Sequence, residues 1–115
     1  MAITVRLDAT GIVHLDPTQE LKKRNGKTKH SVNWKRGKDQ DFVFVGLNIE
    51  APEGVFDTPK IKDKTITVGD NIRKNSGAVD YPYRVYVRTP DGRVHSSPGE
   101  DPQLESGRGV IRNES

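Results

Sequence analysis

The sequence predicts an all-β domain, a Greek-key sandwich of about seven or eight strands. Three observations carry this. Residues 81–88, Tyr-Pro-Tyr-Arg-Val-Tyr-Val-Arg, place Tyr81, Tyr83, Val85 and Val87 on one face and Pro82, Arg84, Tyr86 and Arg88 on the other. That is the period-2 pattern of a half-buried strand, in residue types that strands favour. Turn signals rich in Gly, Pro, Asn and Asp recur between short apolar stretches. No window of helical length keeps apolar residues three and four apart.

The elements follow in order. Ile3, Val5 and Leu7 alternate with Thr4 and Arg6 and predict a first strand. Thr10-Gly11 turns the chain into a second at residues 12–15, which Asp16-Pro17 stops. Residues 19–24 fit strand or loop. Asn25-Gly26 predicts a hairpin that returns in a strand at 28–35, with Val32 and Trp34 on one face. Residues 41–49 predict a long strand, Phe42 and Phe44 opposed to Val43 and Val45, with a bulge or bend at Gly46. A long connection follows at 50–63, anchored by Val55 and Phe56. Residues 64–68 predict a short strand closed by Gly69-Asp70-Asn71. After the strand at 81–88, Thr89-Pro90-Asp91-Gly92 suits a type I turn. Pro90 sets φ at its second position, and Gly92 accepts the left-handed conformation that lets Arg93-Val94-His95-Ser96 return. The tail is rich in Pro, Gly and Glu up to Val110-Ile111, which predicts a closing edge strand. Residues 1–115 are expected to form a single domain, with 96–109 an irregular loop or tail.

Composition narrows the class. With 31% hydrophobic and 30% charged residues, little apolar area offsets the entropy of ordering 115 residues. A thin two-layer sandwich suits that better than three layers. The absence of cysteine excludes a disulfide framework and a thiolate metal site. No apolar run is long enough to span a membrane, and Met1-Ala2-Ile3-Thr4-Val5 lacks the regions of a signal peptide. A cytoplasmic location and no membrane partner are expected. The charge of +3 is mild but uneven: residues 22–38 hold eight of the 19 Lys and Arg and no acid, leaving 11 basic against 16 acidic residues elsewhere. The expectation is a mildly acidic body with one basic region.

That region is Lys22, Lys23, Arg24, Lys27, Lys29, Lys35 and Arg36, with Lys38 beyond. At a hairpin tip it would make a positive finger able to dock on an acidic protein surface or neutralise phosphates. The competing reading is a solvated hairpin whose lysines blunt a sheet edge. Against nucleic acid, Trp34 is the one nearby aromatic, and its place is in the core. A second candidate surface is Arg84, Tyr86 and Arg88, since Tyr with Arg is the composition of interface hot spots. Its competing reading is a ring covering the sheet between snorkelling arginines.

The chemistry-bearing residues argue against catalysis. Ser96 and Ser97 follow His95, but neighbours along a strand point to opposite faces. Gly107-Arg108-Gly109 is too short for a phosphate loop. His14, His30 and His95 lack the paired spacing of a metal site, and His14 reads as an ordinary partly buried strand residue. The acidic loop pairs, such as Asp57 with Asp63, form no calcium-loop spacing.

The strand order then resembles a known family. A first strand, Val32-Asn33-Trp34, Phe42-Val43-Phe44, a proline-rich crossover and the Tyr-x-Tyr-x-Val-x-Val strand resemble a cupredoxin-like sandwich and, more loosely, an immunoglobulin-like one, over residues 28–112. Copper cupredoxins carry a His after an early strand, then a Cys, a His and usually a Met around the last loop. The resemblance assigns His30 and His95 to the histidine positions, whereas Val85 or Val87 stands where the cysteine belongs, and no methionine follows. A blue-copper centre depends on that thiolate. The resemblance therefore implies the fold without copper.

The expectation is a non-catalytic cytoplasmic binding or adaptor module that needs no cofactor and takes an acidic protein partner. One alternative is a nucleic-acid-binding module using the basic segment at 22–38. Another is a metal-binding relic using His30 and His95.

Overall fold

Alternation of apolar and polar side chains governs almost every regular element of this chain. The computed structural model describes residues 2–24, 29–74, 76–98 and 108–115. Among them every regular element is a strand: β1 (Ile3–Leu7), β2 (Val13–Asp16), β3 (Gln19–Lys23), β4 (Lys29–Arg36), β5 (Val43–Ile49), β6 (Lys60–Ile61), β7 (Thr65–Asn71), β8 (Ala78–Arg88), β9 (Val94–Ser96) and β10 (Gly109–Glu114). They form two five-stranded sheets. The first runs β2-β1-β4-β7-β6; the second runs β3-β10-β8-β5, with β9 also on β8. The all-β sandwich expected from the sequence is the fold observed.

Each strand buries one face between the sheets. Ile3, Val5, Val32, Trp34, Ile66 and Val68 of the first sheet meet Phe44, Tyr83, Val85, Val87 and Ile111 of the second, joined by Phe42. Each such side chain stabilises the fold by about 1.5–3 kcal/mol. Trp34 and Tyr83 join the layers edge to face, with ring centroids 5.2 Å apart. Gly109 makes this packing possible. A Cβ there would lie 2.7 Å from a ring carbon of Tyr83 and 2.8 Å from Leu15, both buried.

The strand at 81–88 is found as expected, extended back to Ala78. Its turn has Gly92 at φ 86°, its N–H donating to the Thr89 carbonyl at 2.9 Å. The bulge at Gly46 is present, since the register between β5 and β8 shifts between Phe44 and Gly46. Val55 is buried, and Phe56 packs on Tyr81 at 5.3 Å, so both anchor the connection after β5.

Four expectations are corrected. The Asn25-Gly26 hairpin does not join β3 to β4, because the two strands lie in different sheets; residues 25–28 themselves fall outside the described ones. In Gln19–Lys23 the inward positions are Glu20 and Lys22, so this strand cannot extend the apolar face of Val32 and Trp34. It runs instead parallel to β10 at the rim of the second sheet. That placement makes β10 an interior strand rather than a closing edge. Gly69, Asp70 and Asn71 do not close β7 but continue it, paired with Ser31, His30 and Lys29. His14 is exposed on the outer face of β2, not partly buried, and bonds Asp8 at 2.6 Å. Of the irregular loop expected at 96–109, Ser96 ends β9, Gly109 opens β10, and residues 99–107 lie outside the described set.

Candidate functional site

The described members of the basic run do not lie on the two arms of one hairpin. They divide between β3 in one sheet and β4 in the other, and most are engaged by neighbours. Lys22 points inward, its side chain 18% exposed, and pairs with Glu20 at 3.2 Å. Arg24 is partly buried; its backbone N–H donates to the Glu114 carbonyl at 2.8 Å. Lys29 pairs with Asp57 at 2.8 Å, which holds that carboxyl below its usual range, assisted by Asn71. Arg36 donates from Nη1 to the Phe42 carbonyl at 2.9 Å, fastening β4 to the start of β5. Lys23 is exposed on β3 of the second sheet, Lys35 and Lys38 are exposed on and just beyond β4 of the first, and Lys27 lies outside the described residues. A charge run reads as a patch only when its residues share a face, and here alternation and the sheet change disperse it.

Arg84, Tyr86 and Arg88 do share a face. Tyr83, Val85 and Val87 take the inner positions of β8, so the three project from the outer face of the second sheet. Tyr86 sits opposite Gly46 across the bulge. A Cβ on Gly46 would stand 3.3 Å from the Tyr86 ring, so the glycine provides the bed on which the ring lies. This explains why Tyr86 is half-buried while both flanking arginines are exposed.

Neighbouring strands enlarge this surface. Arg108, just ahead of β10, joins Asn48, Glu50, Arg84 and Tyr86 around a shallow cavity of about 100 Å³. Val94 of β9 pairs with Arg88 and is 58% exposed, and Val45, in the bulge beside Gly46, is 39% exposed. Two exposed valines, a tyrosine and three arginines thus share one face. Among the described residues Arg84, Arg88 and Arg108 form no ion pair, whereas Arg112 on the same face is engaged by Asp80 and Glu114, each at 3.2 Å. Sequence reasoning found the three residues of β8 but missed Arg108, Val45 and Val94. The β8–β9 return pointed to Val94, but nothing local marked Arg108, which reaches this face only through the pairing of β10 with β8.

The positions assigned by the cupredoxin resemblance do not converge on a ligand set. Val85 and Val87 are fully buried core residues. His30 faces inward on β4, opposite Asp70 in the β4–β7 register. His95 lies on β9, its ring near Gly11 of the β1–β2 turn. Among the described residues no three His, Cys, Asp or Glu side chains group as a metal site would require. Among the same residues no helix is long and apolar enough to cross a membrane.

A second polar feature joins the sheets from inside. Asp70 of β7 and Asn113 of β10 are buried, and Asn113 Nδ2 donates to Asp70 Oδ1 at 2.7 Å. Burial pushes the Asp70 carboxyl above its ordinary range, against the opposing pulls of Asn113, His30 and Lys22. Asp70 Oδ2 and Asn113 Oδ1 have no partner among the described residues.

A scan against protein-family models and a search of curated proteins both return no match for this chain.

Proposed function

We propose that the chain is a non-catalytic binding module, and that its contact surface is the outer face of the second sheet around Tyr86. The observation that carries this is the grouping of Arg84, Arg88 and Arg108 about a ring held in place by Gly46. An aromatic anchor ringed by arginines matches interface hot spots, and the exposed valines add apolar area. The partner is an acidic protein surface: cations without ion pairs steer an acidic patch during encounter, and the Tyr86 ring supplies the desolvated centre. The basic segment at 22–38 is not part of this surface, because Lys22, Lys29 and Arg36 are already engaged.

The fold belongs with the cupredoxin-like rather than the immunoglobulin-like reading. What supports this is the parallel pairing of β1 with β4 and of β3 with β10. Immunoglobulin-type sandwiches pair their sheets antiparallel. On this reading the module keeps the sandwich and lacks the copper centre.

The test is co-purification from the source cell of the wild type, a Tyr86→Ala/Arg84→Ser/Arg88→Ser variant and a Lys23→Ser/Lys35→Ser/Lys38→Ser variant. A protein partner lost with the first variant and retained by the second is the expected result. Loss with the second alone moves the function to the dispersed lysines. Nuclease-sensitive nucleic acid in the eluate would make the same face a nucleic-acid surface, with affinity that falls steeply as salt rises.

A further inference from the structure

The open edge of β5 is the second unpartnered surface of the fold. Glu50 donates its N–H to Pro82 across the β5–β8 ladder at 2.9 Å. Inward and outward bonding alternate along an antiparallel strand, so Asn48 also bonds toward β8 while Leu47 and Ile49 turn their N–H and C=O groups away. Phe44 obeys the same rule on the far side of the bulge, donating outward to the Asp63 carbonyl at 3.0 Å. Among the described residues, the outward backbone groups of Leu47 and Ile49 have no partner. Beside them opens a cleft of about 230 Å³ between the two sheet edges, lined by Leu47, Ile49, Pro52, Phe56 and Pro59. Ile61, 41% exposed, lies on the facing edge strand β6. Unpaired edge groups beside apolar side chains template an added strand.

We infer that the occupant is a second copy of this chain, paired antiparallel through β5. Charge complementarity about a two-fold axis selects this occupant. With Leu47 facing Ile49 of the second copy and Val45 the extra residue of the bulge, Phe44 falls opposite Ala51 of that copy. The turn after β6, held at Phe44 through Asp63, brings Lys62 and Lys64 to one end of the edge. Glu50 and Glu53 stand at the other end. The two-fold sets each lysine pair against the acidic pair of the other copy, and does so twice. Leu47 and Ile49 of both copies then line one apolar seam, because antiparallel pairing keeps inward side chains on the same face.

The pairing is short, so the dimer is a weak one, with a Kd of roughly 10–1,000 μM. It also joins the outer faces of the two second sheets. The two Tyr86 rings then lie roughly 20 Å apart, from three strand spacings and a four-residue offset along the strands. The paired face inherits the role proposed for Tyr86, but the pairing itself does not depend on that role.

Sedimentation velocity over rising concentration tests this on the wild type, Lys62→Glu, Glu53→Lys and the double variant. All of these changes are at exposed positions. The expected result is reversible dimerisation of the wild type, weakened at least about fivefold by either single reversal and restored by the double. A wild type that stays monomeric to about 1 mM overturns the inference and leaves the edge to an extended segment of a different chain. Dimers indifferent to both single reversals, or a double variant no better than either single one, overturn it equally.

Discussion

Changing Asp70 to asparagine should stabilise this protein at neutral pH, although it removes a charge from a buried hydrogen bond. The side chain is inaccessible to solvent, and one donor, Asn113 Nδ2 at 2.7 Å, serves its Oδ1. His30 of β4 and Lys22 of β3 favour its charged form from two other elements, yet burial outweighs them and raises its pKa above the ordinary value of 3.8. Between that value and the raised one, the unfolded chain has released its proton while the folded chain retains it. The folded state then binds more protons, so this group makes stability fall as pH rises through the window. Asparagine keeps an oxygen for Asn113 and removes the charge. The expected gain at pH 7 is up to about 1 kcal/mol, and it vanishes below about pH 4, where Asp70 is protonated in both states. Asn113→Ala leaves the carboxyl buried without its donor and should cost about 2–3 kcal/mol. With an unfolding entropy of about 2.1 cal/mol/K per residue over this chain, 1 kcal/mol moves Tm by roughly 4 °C. Urea unfolding of the three proteins from about pH 3 to pH 8 reads both effects. An Asp70→Asn variant that loses as much stability as Asn113→Ala at pH 7, or a difference from wild type that does not change with pH, would refute the reasoning.

Three further outcomes follow from the packing. Gly109→Ala drives a methyl into Tyr83 and Leu15, which have no room to yield, and should lower stability by about 1–3 kcal/mol in thermal unfolding. Lys22→Ala strands Glu20, whose side chain is only 13% exposed, and should cost about 1–3 kcal/mol, with Glu20→Gln/Lys22→Ala recovering part of the loss. Gly46→Val pushes on the Tyr86 ring from below and should weaken partner binding while leaving unfolding within about 1 kcal/mol of wild type.

Much of the fold was legible because alternation survives in the strands that bury a face. Tyr83, Val85 and Val87 announced β8, and Phe44 with Gly46 announced both β5 and its bulge. The sheet to which a strand belongs was not legible. Asn25-Gly26 is a sound local turn signal, but pairing is decided by which faces match, and the inward Glu20 and Lys22 of β3 do not match Val32 and Trp34 of β4. β6 was missed because two residues carry no period. The interior place of β10 was missed because β3 reaches it from the other end of the chain.

The candidate site divides along the same line. Arg84, Tyr86 and Arg88 lie on one strand, where alternation alone sets them on one face. The basic segment was grouped by proximity in sequence, which a change of sheet undoes. The glycine under Tyr86 was visible as a bulge, but its second role appears only when Gly46 is seen opposite that ring.

The central claim is that the Tyr86 face, and not the dispersed lysines, meets the partner. The most direct measurement is the affinity of the co-purified partner for wild type and for Arg84→Ser/Arg88→Ser, titrated at low and at physiological salt. The account predicts weaker binding and a reduced salt dependence in the variant, with unchanged unfolding. Equal affinity and an equal salt slope for the two proteins would contradict it.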